Sequence, residues 1–122
     1  MTHTDNITLQ ASVTKAAATT TYSSIFRVDR YNELNLFLYI SAQASYTSGD
    51  TLTVSVQIVD PDGNYIDLAG ATFPTVGEAS SALSKHIAIV GFGSRIRLKY
   101  VVTADGSVSY TFTVKAYGKG DF

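Results

Sequence analysis

The sequence predicts an all-β domain: a single antiparallel β-sandwich of about eight strands, either jelly-roll-like or immunoglobulin-like. Two observations lead to this prediction. Apolar and polar residues alternate along several segments, as expected where one face of a strand is buried. Turn residues separate these segments at short intervals, and residues that favour helices are scarce outside an alanine cluster at 16–18. Because 122 residues suffice for one core but not for two, we expect one domain over residues 1–122.

Four segments carry the clearest alternation, and each is predicted to be a strand with one buried face. They are residues 7–14, 51–58, 95–102 and 108–115. In the first of them, Ile7, Leu9, Ala11 and Val13 share the predicted buried face. Weaker strand patterns occur at residues 22–28, 34–41, 65–68 and 82–90.

The segments between the strands predict turns and loops. Asp-Gly at 105–106 favours the positive φ angles of a tight hairpin, which would join the last two strands to each other. Gly-Phe-Gly at 91–93 predicts another turn. Residues 15–21 lack an apolar stripe and are predicted to be a mobile connection, and residues 70–81 are predicted to be a long loop. Residues 1–6 are a candidate N-terminal arm.

Charge and composition exclude several classes of partner. The chain has 9 basic and 10 acidic residues, so no strong global field draws it to nucleic acid or to an anionic membrane, and we expect neither as a partner. The absence of cysteine excludes disulfides, thiolate nucleophiles and zinc–thiolate sites. Residues 1–10 lack the basic and apolar regions of a secretion signal, and the longest apolar run, 36–40, is too short to span a bilayer. We expect a soluble protein made in the cytosol.

The stretch DPDGN at 60–64 most resembles a metal site, because three oxygen-bearing side chains alternate there. An EF-hand loop requires glycine at its sixth position and glutamate at its twelfth, where this chain has Tyr65 and Ala71. Pro61 presets the first corner of a turn and Gly63 suits a left-handed position after it. We therefore predict a hairpin corner without a dedicated metal site, and an adventitious cation remains the alternative.

Candidates for catalysis are few. His3 lies in a polar leader and His86 in an irregular strand, and neither has an acidic residue at a spacing that indicates a shared site. No serine lies in a nucleophile turn, and the glycines at 91–93 are not followed by the helix of a phosphate-binding loop. We predict that the protein is not an enzyme and that it has no catalytic residues and no cofactor.

A basic stripe is predicted on one face of the strand 95–102. Arg95, Arg97 and Lys99 alternate there with apolar residues, and the predicted hairpin would add Lys115 to form a basic patch. This pattern lacks the interleaved exposed aromatic residues of a nucleic-acid stacking platform. A solvated face or a salt-bridged contact with another protein is therefore favoured over a nucleic-acid footprint.

The strand at 34–40 is apolar on both faces. Its even-numbered residues fill one face, while Phe37 and Tyr39 occupy the other. Either the loop 70–81 covers this second face, or it is a surface for a subunit or partner, where tyrosine and phenylalanine are favoured. The candidate interface residues are therefore Phe37, Tyr39, Arg95, Arg97 and Lys99.

Five segments together resemble a known class of proteins. They are LNLFLYISA at 34–42, LTVSVQIVDPDGNYIDL at 52–68, ATF at 71–73, RIRLKYVV at 95–102 and SVSYTFTVKAYG at 107–118. This pattern of strands and corners resembles the small β-sandwich virion structural proteins of tailed bacteriophages, which are encoded among head and tail genes. Residues 1–30 match no motif of that class.

The resemblance implies a structural role in the virion, most specifically as a capsid decoration or cement subunit that stabilises the outer shell. The implied partners are the major capsid protein or other virion proteins. A homo-oligomer is implied too, with a trimer preferred because shells offer threefold sites. The protein would be made in the host cytoplasm and located at the capsid surface or the head–tail region. A neck or tail component is one alternative, and a carbohydrate- or ligand-binding sandwich with exposed aromatic residues along a groove is another.

Overall fold

The computed structural model describes residues 2–16, 18–78, 83–104 and 107–121, and within these ranges the chain forms nine strands and no helix. The strands are β1 Thr2–Ala16, β2 Thr19–Tyr22, β3 Phe26–Arg27, β4 Glu33–Ala44, β5 Thr51–Val59, β6 Tyr65–Thr72, β7 Leu83–Ile89, β8 Arg95–Thr103 and β9 Ser109–Asp121. Accordingly, these ranges hold no helix that could cross a membrane.

The strands form two antiparallel sheets with the core between them. Sheet A has the strand order β1-β9-β4-β7, and sheet B has the order β2-β8-β5-β6, with β3 also paired to β8. Every pairing between the strands is antiparallel. The predicted all-β antiparallel sandwich is confirmed.

Alternate residues of the central strands fill the core, as the period-two patterns predicted. Fully buried apolar side chains from these strands are Leu34, Leu36, Leu38, Ile40, Leu52, Val54, Val56, Ile96, Leu98, Val102 and Val114. The rings of Tyr100 in sheet B and Phe112 in sheet A meet edge to face, with centroids 5.0 Å apart. Aromatic pairs in this geometry contribute roughly 0.5–1.5 kcal/mol beyond the area that they bury.

The strand β1 departs from its predicted alternation between Leu9 and Val13. Leu9 is buried as predicted, but Ala11 is exposed, because the register with β9 shifts on either side of Gln10. Each shift adds one residue to the strand and exchanges its faces, so the second shift returns Val13 to the core side, as predicted, and the first changes the side on which Gln10 lies. Gln10 turns inward as a result, and its Oε1 accepts a 2.8 Å hydrogen bond from the hydroxyl of Tyr100. Burial raises the pKa of Tyr100 far above its usual value, so the hydroxyl remains a donor.

The predicted hairpin between the last two strands is wrong. The residues of its turn, 105–106, lie outside the described residues, but β8 pairs with β2, β3 and β5 in sheet B, while β9 pairs with β1 and β4 in sheet A. The connection therefore passes from one sheet to the other. A turn-forming dipeptide favours a reversal of the chain, but it does not determine whether the next strand joins the same sheet.

Two predicted irregular segments are more ordered than the sequence indicates. Residues 2–6, the candidate arm, belong to β1 and pair with residues 117–121 of β9. Most of the predicted connection at 15–21 lies in strands, because β1 continues to Ala16 and β2 begins at Thr19, and residue 17 lies outside the described residues. Both corrections have one cause: pairing with a long neighbouring strand overrides weak local propensity.

Over its described residues, 70–78, the loop predicted at 70–81 does not cover the second face of β4. Its first residues extend β6 to Thr72, and the buried Phe73 then donates its backbone N–H to the carbonyl oxygen of Val54 in sheet B at 2.9 Å. Val76 and Leu52 exchange two backbone hydrogen bonds of 2.8 and 2.9 Å. As far as residue 78, this segment therefore runs along sheet B, and the carbonyl oxygen of Gly77 also accepts hydrogen bonds from Gln43 and Tyr110 of sheet A.

The outer strands of both sheets carry features that discourage pairing with another sheet. In β7, Lys85 lies opposite the buried Leu38 and so points towards the inner face of an edge strand. The edge strand β1 is interrupted by its bulge, β6 has a register shift against β5, and β2 has only four residues. Inward charges, bulges and short edges are known obstacles to edge-to-edge association. Contacts with other molecules are therefore favoured on the faces of the sandwich.

At one end of sheet A, the segment before β4 crosses closely over β9. The hydroxyl of Tyr31 donates to Oδ2 of Asp5 at 2.7 Å, and the backbone N–H of Asn32 donates to the carbonyl oxygen of Lys119 at 2.7 Å. Gly118 and Gly120 lie beneath this crossing and are buried. Because glycine has no side chain, these two positions leave the space that the crossing segment fills.

Candidate functional site

Phe37 and Tyr39 lie on the outer face of sheet A, as predicted. The strand register places one row of side chains across all four strands, in the order Thr8, Lys115, Phe37, His86. The neighbouring row places Tyr117 of β9 beside Asn6 of β1. Residues opposite one another in antiparallel strands point to the same side, so both rows face away from the core.

Phe37 is the centre of a cluster of four rings on this face. Its ring centroid lies 4.9 Å from that of His86, 5.6 Å from that of Tyr117 and 6.4 Å from that of Tyr39. The Tyr117 ring stands edge-on to Phe37, and the other two are closer to parallel with it. Tyr39 is 39% exposed and Tyr117 is 46% exposed, so the described part of the chain leaves the cluster accessible.

A groove of about 330 Å³ runs beside the ring cluster, above β9. Its lining consists of Asn6, Ile7, Thr8, Phe37, Tyr39, Lys115, Ala116 and Tyr117. The sequence predicted Phe37 and Tyr39 on this face, but it did not predict which β1 and β9 residues lie beside them. Alternation in β9 places Tyr117 on an exposed face, yet only the pairing of β4 with β9 shows that it stands next to Phe37.

Arg95, Arg97 and Lys99 share the outer face of sheet B, since they alternate with the buried Ile96 and Leu98. The predicted stripe therefore exists, but it lies on the face of the sandwich opposite to Phe37 and Tyr39. The predicted addition of Lys115 is wrong, because this residue is on sheet A. The five candidate interface residues thus form two separate surfaces.

Arg97 is held tightly by the protein itself. Its guanidinium carbon lies 3.3 Å from the ring centroid of Tyr65 and 3.8 Å from that of Tyr22. Its Nε donates to Oε1 of Gln57 at 2.8 Å, and Nε2 of Gln57 donates to Oδ1 of Asp67 at 2.8 Å. These contacts join four neighbouring strands, β2, β8, β5 and β6, across the outer face of sheet B. We call this arrangement the Arg97 clamp.

The additional cation beside the predicted stripe is Arg27 and not Lys115. It lies directly opposite Arg95 in the pairing of β3 with β8, so two cations are neighbours across the strands. Arg27 Nη2 forms a 2.8 Å ion pair with Oδ2 of Asp29, and this bond holds the pKa of Asp29 below its usual value. Within the described residues, neither Arg95 nor Lys99 has a side-chain hydrogen bond or ion pair. We call Arg27, Arg95 and Lys99 the basic row.

The carboxylate of Asp60 forms the corner that the sequence predicted. Its Oδ1 accepts the backbone N–H groups of Asp62 at 2.9 Å and Asn64 at 2.8 Å, and Oδ2 accepts from the Asn64 amide at 3.1 Å. Gly63 has a φ of 88°, the left-handed conformation predicted for it. These hydrogen bonds lower the pKa of Asp60. The described residues contain no group of three or more His, Cys, Asp or Glu side chains that could hold a metal ion.

Because the folded-state pKa of Asp60 is lowered, its ionised carboxylate stabilises the fold above the unfolded value of about 3.9, and this contribution is lost as pH falls through the lower folded value. We expect the unfolding temperature of the wild type to fall towards that of Asp60→Asn on acidification from pH 5 to about pH 2. Asp60→Asn keeps an acceptor without the charge, and Asp60→Ala removes both. A constant difference between wild type and Asp60→Asn over this range would contradict the assignment.

His3 and His86 do not form a shared site. His3 is in β1 and His86 is in β7, at opposite edges of sheet A. A ring nitrogen of His86 lies 3.2 Å from Oδ1 of Asn35, and this contact fixes the ring beside Phe37. The role that the geometry gives to His86 is support of the ring cluster.

Comparison with known proteins identifies the fold. No family model matches the chain, and no curated protein matches it. Among solved structures, the SPBc2 prophage-derived protein YomS has a TM-score of 0.59 at 16% sequence identity, and the match covers 98% of this chain and 96% of that one. A chain of the infectious bursal disease virus Gt strain has a TM-score of 0.62 at 12% identity, with 98% and 32% covered. This chain therefore spans about a third of that viral chain.

A Bacillus endospore appendage protein, from a structure of disulfide-linked pili, has a TM-score of 0.52 at 12% identity, with 98% and 89% covered. At identities this low, the likenesses establish the fold and no activity. This β-sandwich is shared with a viral protein and a prophage-derived protein.

Proposed function

We propose that the protein is a structural component of a bacteriophage particle, and more specifically a subunit that decorates the outer shell. Three findings support this proposal. The fold recurs in about a third of a chain of infectious bursal disease virus and over almost the full length of a prophage-derived protein. The strands and corners of residues 34–118 resemble small virion proteins. The surface also offers a charged face suited to contact with another protein. In this role the protein binds virion proteins and catalyses no reaction.

The basic row carries the argument for a shell contact. Like charges that face each other across two strands destabilise a sheet, so the pair of Arg27 and Arg95 is costly to the isolated protein. Of these two cations, Arg27 alone forms an ion pair with the nearby Asp29. Carboxylates on a partner surface would neutralise these cations and relieve their repulsion. That relief would contribute to the free energy of binding, as complementary charges do across interfaces. We therefore assign this face to an acidic patch on the major capsid protein.

The Arg97 clamp prepares the same face for binding. It fixes the positions of four strands, so Arg95 and Lys99 project from a rigid platform. A surface that is already ordered loses less conformational entropy on association. Many copies on a repeating shell, each held by modest contacts and by neighbouring copies in a trimer, would together bind strongly.

The test is binding of purified protein to shells of the encoding phage that lack it. We expect Arg95→Ser/Lys99→Ser to reduce affinity at least about tenfold and to weaken its dependence on salt. Lys115→Ser is the matched control: it removes one cation from the opposite face and should leave shell binding unchanged.

Stability measurements separate this effect from misfolding. Arg95→Ser is expected to leave the free energy of unfolding unchanged or slightly higher, because it relieves the repulsion from Arg27. Equal shell binding by the double variant and the wild type would reject the basic row as the contact surface.

A further inference from the structure

We propose that the groove on the outer face of sheet A binds a neutral saccharide. This inference goes beyond the proposed virion role, since it assigns a second surface of the protein to a different kind of ligand. It depends on the side chains that line the groove and not on the particle that contains the protein.

The polar groups around the groove have hydrogen-bonding capacity to spare. Asn6, Thr8, Tyr39, Lys115 and Tyr117 line it, and none of their side chains forms a hydrogen bond or ion pair with any other described residue. Together they offer an amide, three hydroxyls and an ammonium group, which includes both donors and acceptors. Hydroxyl groups on a sugar ring both donate and accept, so this mixed set suits them.

The ring cluster supplies the apolar part of the site. Sugar rings have faces of C–H groups, and these pack against the electron-rich faces of aromatic rings. Tyr39 and Tyr117 are exposed to 39% and 46%, and Phe37 lies between them at ring-centroid distances of 6.4 and 5.6 Å. Rings and free polar groups therefore meet in one groove.

The groove is preformed and of suitable size. Its lining side chains project from paired strands. On the neighbouring strand β7, the His86 ring packs against Phe37, and a ring nitrogen of His86 lies 3.2 Å from Oδ1 of Asn35. A volume of about 330 Å³ is at the small end of the range for ligand sites, roughly 300–1,000 Å³. Small ligands of one or a few rings are therefore the occupants that fit.

The charge of the groove favours a neutral ligand. Lys115 is the one charged side chain among its lining residues, so an anionic ligand would find a single cation there. The basic row, which would attract anions, is on the opposite face. A flat protein partner is also a poorer fit, because it would bury polar groups such as those of Asn6 and Thr8 without the closely placed partners that they require.

The experiment is an NMR titration of the full chain with neutral oligosaccharides of glucose, galactose, mannose and N-acetylglucosamine. We expect at least one of them to shift the signals of Asn6, Thr8 and Tyr117, with a dissociation constant on the order of 1 mM or tighter. Tyr117→Ala should weaken that binding about tenfold, and Tyr117→Phe, which keeps the ring, should weaken it less. Ile25→Ala is the matched control, because Ile25 is 46% exposed like Tyr117 but lies outside the groove.

Other results would overturn the saccharide assignment. One is the absence of shifts with every sugar, and another is binding that Tyr117→Ala leaves unchanged. A wild-type oligomer that Tyr117→Ala dissociates, seen by light scattering without sugar binding, would instead identify the groove as a contact between copies of the chain. Shell binding by Tyr117→Ala is measured alongside and should match the wild type. Failure of the saccharide proposal and failure of the shell proposal are thus separate outcomes.

Discussion

Replacing Gly120 with alanine is expected to reduce the free energy of unfolding by about 3 kcal/mol, at the upper end of the range for overpacked cores. A Cβ atom at this position would overlap the carbonyl oxygen of Arg30 and approach the Cα of Tyr31 to 3.2 Å. Backbone atoms cannot move aside as the end of a flexible side chain can. The crossing segment would have to lift from β9, which would weaken the hydrogen bond between Asn32 and Lys119. Urea unfolding at neutral pH measures the change.

Two other glycine substitutions serve as comparisons. In Gly118→Ala the new Cβ would lie 2.8 Å from the ring of Tyr31, so we expect a smaller loss, about 1–2 kcal/mol, because a ring can shift. In Gly77→Ala the nearest atoms are 3.8 and 4.0 Å away, and the free energy should change by less than about 0.5 kcal/mol. Equal stability of the Gly120 and Gly77 variants would contradict the crossing described for residues 30–32.

Arg97→Ala is expected to cost about 2–3 kcal/mol of stability, although the residue is on an outer face. The substitution removes two cation–π contacts and the hydrogen bond to Gln57. Gln57 is only 8% exposed, so its Oε1 would lose a partner in a place where water is scarce. Chemical unfolding measures the loss, and near-ultraviolet circular dichroism should show a change in the environment of Tyr22 and Tyr65.

Matched substitutions separate the clamp from charge alone. Arg97→Lys keeps the positive charge but lacks the planar group that fits between two rings, so we expect it to recover less than half of the loss. Arg95→Ala removes a cation from the same strand face without disturbing the clamp and should be nearly neutral. If all three variants are equally stable, the clamp does not stabilise the fold.

The sequence allowed the class of fold and most of the core to be predicted. Alternation along β5, β8 and β9 follows from burial of one face, a local property that a single strand displays. The corner at 60–64 was equally predictable, because Pro61, Gly63 and Asp60 act on their immediate neighbours. These features require no knowledge of which strands pair.

Pairing between strands was the part that local patterns could not supply. The dipeptide at 105–106 resembles a hairpin turn, yet β8 and β9 lie in different sheets, each with both of its edges occupied by other strands. The bulge at Gln10 likewise depends on β9 and on the hydroxyl of Tyr100. Long-range contacts decide both features, and no segment of a few residues encodes them.

The residues of the candidate site fall into the same two groups: those that a local pattern predicts and those that depend on strand pairing. Phe37 and Tyr39 were predicted because β4 is apolar on both faces. The positions of Tyr117, His86 and Arg27 beside other site residues were not predicted, because they follow from strand pairing. The pairing of Arg27 with Arg95, on which the shell proposal depends, joins residues far apart in the chain.

The outer faces of the two sheets have different proposed roles. The face of sheet B carries the basic row, held rigid by the Arg97 clamp, and is proposed to contact the shell. The face of sheet A carries the ring cluster and groove, and on a decorated particle it would point outwards. Strand edges that resist pairing leave these faces as the surfaces available for contact.

The proposed virion role is tested by electron microscopy of purified particles of the phage proposed to encode the protein. We expect density for this sandwich on the outside of the shell, with Arg95 and Lys99 towards the major capsid protein and Tyr117 towards solvent. Density in the neck or tail would keep the virion role and correct the position. Particles that contain no copy of the protein would contradict the account.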